Sequence, residues 1–202
     1  MKVRHLEMTL EGLDGFVWPT AALEQYATPA TVAARLLHEA DRKGDIRGLR
    51  VLDLGCGAGI LSCGAWLLGA AEVIGIDIDI AALQVAERNA GHIGANITFI
   101  QGDIADIAIP PADTVIMNPP FGAQRAHADR PFIDAALMAA EVTWGIFNTG
   151  SSPFVEVYVR GRGLVDTCIA AEFPITRTFA HHTRDRVTIP VEFIRIVREN
   201  CA

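Results

Sequence analysis

Lysine is nearly missing from this chain. Of its 17 basic residues only Lys2 and Lys43 are lysines, and against 24 acids the net charge is −7. That balance argues against non-specific adhesion to a polyanion as the main mode of binding, while leaving room for a local basic patch. The basic character rests on arginine, which suits planar and bidentate contacts, although the nucleotide composition of the gene produces the same bias. Long apolar runs are absent as well. The longest candidate, residues 65–80, is interrupted by Gly69, Glu72, Gly75, Asp77 and Asp79, whereas a membrane-spanning helix needs roughly 18 apolar residues in a row. No membrane partner is expected. No charged-then-apolar leader with a small-residue cleavage site opens the chain. The four cysteines, Cys56, Cys63, Cys168 and Cys201, form no C-x-x-C pair, and the histidines add no metal-ligand spacing around them. A reduced, cytoplasmic protein without a bound metal is the simplest expectation.

What is present is alternation. With 202 residues, half of them hydrophobic, the chain is long enough for one sizeable core and short for two domains. Buried-strand patterns at "LRVLDLG" (49–55), "AEVIGID" (71–77), "NITFIQG" (96–102), "DTVIMN" (113–118) and "TWGIFNTG" (143–150) are separated by helical patterns at 59–70, 79–94 and 131–142. Thr28 to Gly44 reads as a helix capped by Thr28 with Pro29 just inside, and "SSPFVEVYVRG" as one capped by Ser152 with Pro153 at its first position. Strands alternating with helices predict βαβ units and a parallel sheet. The C-terminus breaks the rhythm: "GLVDTCIAAEF" and "VTIPVEFIRIV" have no helix between them, so one antiparallel strand is expected late in the sheet.

Function concentrates at the strand ends. "DLGCGAG" (Asp53–Gly59) follows the first strand, where ligands of a doubly wound sheet bind. Its glycines, Gly55, Gly57 and Gly59, are followed by Ile60 at the sixth position, so neither the dinucleotide fingerprint nor a Walker loop is matched. A ligand without a pyrophosphate fits better. Asp77 ends the second strand and can accept both hydroxyls of a ribose, while Asp79, opening the next helix, reads as its cap. Asp103 in "QGD" can accept from an adenine amine. Together these imply an adenosine-containing cofactor lacking a pyrophosphate, and S-adenosyl-L-methionine fits.

The fourth strand runs into Asn118-Pro119-Pro120-Phe121. The Asn118 carbonyl can accept one hydrogen of an exocyclic amine and the Pro119 carbonyl the other. Phe121 can stack on a flat substrate. Such a motif suits methyl transfer to a planar amine or amide by positioning and electrostatics.

"DLGCGAG", "GIDID", "QGD" and "NPPFG" resemble class I S-adenosylmethionine-dependent amino methyltransferases. With "LEQYATPA" and "VTIPVEFIRIV" they resemble the methyltransferase-like protein five family, which makes N6-methyladenosine in small-subunit ribosomal RNA, in its compact archaeal form. The resemblance spans residues 10–196. It implies a Rossmann-like α/β fold, a seven-stranded, mostly parallel sheet with an antiparallel last strand and helices on both faces. Residues 1–202 would form a single domain, with 1–47 a helical segment packing on the cofactor side. It further implies cofactor contacts at Gln25, Thr28, Asp53, Gly55, Gly57, Ala58, Gly59, Ile60, Asp77, Ile78, Asp103, Ile104 and Asn118, and catalysis by Asn118 to Phe121. A small zinc-binding activator protein is the implied partner, joining a sheet edge as a heterodimer. Ala58 stands where relatives carry a second cysteine, and the lysine-rich loop of animal relatives is here "RTFAHHTRDR". Arg125, His127 and Arg130, with Arg177, His181, His182, Arg184 and Arg186, are the RNA-contact candidates.

Three other readings compete. Glutamine methylation of a release factor uses the same Asn-Pro-Pro motif, but relatives of that type carry tyrosine where Phe121 stands and an added N-terminal helical domain. DNA adenine methylation lacks a target-recognition insertion here. A cofactor-binding ribosome-assembly scaffold without catalysis is disfavoured by the intact Asn118–Phe121 motif.

Overall fold

The computed structural model describes residues 1–17, 19–20, 24–121, 127–176 and 186–199. Its elements are α1 (Val3–Glu11), α2 (Ala30–Lys43), β1 (Arg50–Leu54), α3 (Ile60–Leu67), β2 (Glu72–Asp77), α4 (Ile80–His92), β3 (Thr98–Gln101), β4 (Thr114–Met117), α5 (Arg130–Ala139), β5 (Val142–Asn148), α6 (Ser152–Val159), β6 (Gly163–Thr176) and β7 (Arg186–Arg198). The seven strands form one sheet in the order β3-β2-β1-β4-β5-β7-β6. β1 to β5 pair in parallel, and β7 runs antiparallel to both β5 and β6. This is the parallel sheet with one late antiparallel strand that the sequence predicts.

The central strands bury both faces, and their period of two divides the core in two. Val51, Val73 and Ile116 point to one side, where α1, α2 and α3 bring Leu6, Leu10, Leu36, Leu37 and Leu61. Leu52, Leu54, Ile74, Ile76 and Val115 point to the other, where α5 and α6 bring Ile133, Leu137, Val155 and Val159. Helices therefore cover both faces. Among the described residues no helix is long and apolar enough to cross a membrane.

One polar knot crosses the first layer. Asp45, after α2, accepts from the Trp144 indole N–H (2.8 Å) and from Arg195 through Nε (2.8 Å) and Nη2 (3.0 Å). Arg195 also donates to Asp166 at 2.6 Å. The side chains of Arg195 and Asp45 are only 12% and 8% exposed. The pair ties the α2 end to β5, β7 and β6.

Two caps differ from expectation. Pro29, not Thr28, holds the N-cap of α2, with no side-chain cap bond. The Thr28 hydroxyl instead accepts from Asn118 Nδ2, 90 residues away, at 2.9 Å. Ser151 rather than Ser152 precedes α6, and Pro153 takes its second position. Ser152 Oγ lies 3.3 Å from Glu156 Oε1, so it serves its own helix instead of starting it.

The β6–β7 hairpin outgrows the sheet. Pairing with β5 ends at Asn148 opposite Val191, yet β6 and β7 stay paired to Thr176 opposite Arg186. Those five further pairs form an arm about 16 Å long, on the side of the parallel strands' carboxyl ends. Phe173, fully buried in it, meets the Phe121 ring at 5.7 Å and 88°.

Replacing Arg195 by Ala leaves Asp45 as a buried, half-satisfied charge. The expected loss is about 3 kcal/mol, read as a lower urea midpoint with an unchanged slope.

Candidate active site

The strand order reverses between β1 and β4, and such a reversal opens a crevice at the carboxyl ends of the two strands. A cavity of about 810 Å³ lies there. Its floor is the loop after β1. Gly55 and Gly57 take left-handed φ of 69° and 53°, which side chains with a Cβ rarely adopt. A Cβ at Gly55 would sit 2.8 Å from the Phe132 ring, and one at Gly57 2.7 Å from Phe16. The loop is thus clasped between α5 and the N-terminal segment. The amides of Gly55 and Cys56 donate to Ile76 O at 2.8 and 2.9 Å, which fixes the loop to β2.

Asp77 closes that link. Its Oδ2 accepts from Gly57 N at 2.7 Å and its Oδ1 from Asp79 N at 2.9 Å. Burial pushes its pKa up, and the bonds from the Asp79 and Gly57 amides pull the other way. Asp79 caps α4 as expected, accepting from Ala81 N at 2.9 Å. Its other oxygen accepts from Gln25 Nε2 at 2.8 Å, while Gln25 Oε1 accepts from Thr20 N at 2.7 Å. Asp103 accepts from Ala105 N at 2.9 Å, an Asx-type turn at the cavity wall.

Asp53 is completely buried. Its Oδ2 accepts from the Ser62 hydroxyl (2.6 Å) and amide (2.9 Å), whereas Oδ1 has no partner. Burial drives its pKa from 3.8 up to about 7, against the Ser62 bonds and with a smaller push from Asp77. The same burial raises the Cys56 thiol and takes Cys63 to about 12, aided by Asp53. Both thiols are neutral and unreactive at ordinary pH.

Asn118 ends β4. Nδ2 is engaged by Thr28, and Oδ1 is buried without a partner. The Phe121 carbonyl accepts from Asn148 Nδ2 at 3.1 Å. The Phe121 ring lines the cavity while resting on Phe173.

The cavity gathers Gln25, Thr28, Asp53, Gly55, Gly57, Ala58, Ile60, Asp77, Ile78, Asp103, Ile104 and Asn118 to Phe121. Gly59 turns away, where a Cβ would strike Ala86 at 2.9 Å. Of the predicted RNA contacts, Arg130 and His127 line the cavity. Arg186 opens β7, its backbone paired with Thr176. Arg125, Arg177, His181, His182 and Arg184 lie outside the described residues. Sequence reading missed Phe16 and Phe132. It also missed Asn89, whose Nδ2 donates to Asp14 O and Ala58 O and whose Oδ1 accepts from Asp14 N, all at 2.9 Å. A signal for Asn89 exists: it is a polar residue on the apolar stripe of α4, one turn beyond Val85.

A doubly wound sheet with antiparallel β7, a glycine loop after β1 and carboxylates at the ends of β1 and β2 define a Rossmann-like class I methyltransferase. The chain is 36% identical to a candidate RNA methyltransferase of known crystal structure from Pyrococcus horikoshii, with a TM-score of 0.91 and 98% of each chain covered. It is 38% identical to an uncharacterised protein of Methanocaldococcus jannaschii, over 97% of this chain and 94% of that one. It is 34% identical to the rRNA N(6)-adenosine-methyltransferase METTL5 of Danio rerio, over 96% of this chain and 98% of that one. The model of the methyltransferase small domain matches residues 30–142, and the chain belongs to that family of methyltransferases.

Because the folded pKa of Asp53 lies above the unfolded value, the native state holds a proton that the unfolded chain has lost. Its stabilising effect is complete below 3.8 and gone once pH has risen through about 7. Asp53→Asn, which keeps an acceptor for Ser62, removes that dependence. Its melting temperature relative to wild type is expected to be higher at about pH 8 than at about pH 5. Equal differences at the two pH values contradict the assignment.

Proposed function

We propose that this protein transfers a methyl group from S-adenosyl-L-methionine to the exocyclic amine of an unstacked adenine in small-subunit ribosomal RNA, giving N6-methyladenosine. The observation that carries this reading is Asn118 Oδ1, a buried acceptor without a donor in the wall of the cavity. A buried unpaired acceptor is costly, and an incoming amine relieves it. The rRNA N6-adenosine activity named for the zebrafish relative, matched over nearly its whole length, supports the same substrate.

The residues present fit the cofactor. Asp53 Oδ1 is an orphaned acceptor that an ammonium satisfies, and Asp77 sits where a ribose is held. Ile78, Asp103 and Ile104 offer an adenine site, and Gly55 and Gly57 a close approach. When bound, S-adenosylmethionine supplies a methyl group on a positively charged sulfur. The protein's part is placement. Asn118 Oδ1 accepts one hydrogen of the amine, the Pro119 carbonyl accepts the other, and Phe121 offers a face to the base. A neutral amine held this way needs no strong base before transfer. A paired base in a duplex does not reach such a pocket, so a loop is the preferred target.

In this reading residues 1–202 act as one domain, and 1–47 form its cofactor-side cover, to which Leu13, Phe16, Gln25 and Thr28 contribute. A small zinc-binding activator joins a sheet edge. Exposed Ile78 and Ile80 near edge strand β3, and exposed Leu164 on edge strand β6, support such a cover.

Incubation with labelled S-adenosylmethionine and unmodified small-subunit RNA should label N6-methyladenosine, and Asn118→Ala should abolish the label. Label in a release factor instead moves the assignment to glutamine, and no label with cofactor binding intact favours the scaffold.

Thr28 fixes which way the Asn118 amide faces. Thr28→Val should lower kcat about tenfold, the worth of one hydrogen bond. In an Asn118→Asp background, where both oxygens accept, Thr28→Val should have no further effect. An equal loss in both backgrounds reduces Thr28 to a packing residue.

A further inference from the structure

Arg130 opens α5 and lines the cavity. Its guanidinium carbon lies 5.3 Å from the ring centre of Phe154 and 5.5 Å from that of Tyr158. The two rings, one helical turn apart on α6, are themselves stacked at 5.5 Å and 28°. They form a ledge on which the flat cation rests, and arginine is the side chain that stacks in this way.

The carboxylate that would neutralise Arg130 is engaged elsewhere. Asp134, four residues on along α5, accepts from the Tyr158 hydroxyl (2.8 Å) and from Arg162 Nη1 (2.7 Å). Among the described residues Arg130 has no acidic partner, and its Nε is buried with no hydrogen-bond acceptor. A desolvated guanidinium N–H without an acceptor is unfavourable. Here the ledge holds the guanidinium at the lining of the cavity.

The charge around it is of the other sign. Glu11, Asp14, Glu24, Asp53, Asp77 and Asp103 line the same cavity, and Arg130 is its one arginine among the described residues. The ionised acids among them repel an anion from much of that lining. An anionic group entering the cavity is directed to Arg130. The planar donor fork matches two oxygens of a phosphodiester.

We propose that Arg130, on the Phe154–Tyr158 ledge, is a phosphodiester subsite that takes a backbone phosphate flanking the methyl-accepting adenosine. The proposal rests on the adenine reading above and deepens it. Phosphate contacts set register without reading sequence. One fixed contact beside the target nucleotide positions an unstacked base in a protein whose net charge of −7 gives little general attraction to RNA.

The test uses the full chain, S-adenosylmethionine and a single-stranded RNA oligonucleotide with one adenosine. A second oligonucleotide carries uncharged methylphosphonates at the two phosphates flanking that adenosine. Arg130→Gln should raise KM for the first oligonucleotide about tenfold, with kcat unchanged. It should lessen the slope of log KM against log salt by about one. The methylphosphonates should raise KM for wild type by the same factor and leave Arg130→Gln unaffected. Arg130→Lys, which keeps the charge and loses the planar fork, should fall between, and this guards against a misfolded glutamine variant. The dissociation constant of S-adenosylhomocysteine should be equal in all three proteins.

Equal methylphosphonate penalties in wild type and Arg130→Gln overturn the subsite. Weakened S-adenosylhomocysteine binding also overturns it and assigns Arg130 to the cofactor's carboxylate. A wild-type protein that labels no adenosine, in the oligonucleotide or in small-subunit RNA, overturns the adenine reading and the subsite with it. That outcome is distinct because it appears before any substitution is made.

Discussion

A side-chain amide has one donor end and one acceptor end, and the protein ties down only the donor. The hydrogen bond from Asn118 Nδ2 to Thr28 Oγ1 commits Oδ1 to the cavity. The rest of the site depends on that commitment, because Thr28 belongs to a segment that is itself pinned from both sides. Upstream, Asn89 grips the backbone of Asp14 and so holds Phe16 over the glycine loop. Gln25 then joins the segment to Asp79, the cap of α4. The N-terminal segment is thereby fastened to α4 twice and to the Asn118–Phe121 loop once. A disturbance at any of these points reaches the direction in which Asn118 offers its carbonyl.

The second theme is desolvation. The glycine loop brings Asp53 and Asp77 close together in a place water reaches poorly, and burial raises the pKa of each. Buried carboxylate charge of this kind is costly, even where backbone amides offset part of it. A cation or a pair of hydroxyls beside such carboxylates would offset that cost. Arg130 is the mirror case, a cation desolvated on aromatic rings and short of an acceptor. The cavity lining thus carries a desolvated cation as well as buried acids.

Much of this was legible in the sequence. Strands at 50–54, 72–77 and 114–117, the acids Asp53 and Asp77 near the ends of the first two, and the glycine loop follow from buried-strand runs and from spacing, which are local. The Asx cap at Asp79 is local too and was read correctly. What escaped is non-local. Thr28 before Pro29 has every local mark of a cap, but Asn118 competes for its hydroxyl across 90 residues and wins. Ser152 lost the cap position to Ser151, a one-residue shift that periodicity does not resolve. Phe16 and Phe132 look like ordinary core residues until the loop they clasp is in view. Arg130 was legible as an RNA-contact candidate, whereas the ledge beneath it needs α6 folded against α5 and Asp134 turned towards Arg162.

The hairpin arm has a mechanical meaning. Past Asn148 the chain is no longer a seven-stranded sheet but a two-stranded ribbon, and a ribbon bends far more readily than the sheet that anchors it. Phe173 sits on that ribbon and bears on Phe121. The arm is therefore a cantilever with the Asn118–Phe121 loop resting near its root. Whatever stiffens or deflects it alters how sharply Phe121 is placed.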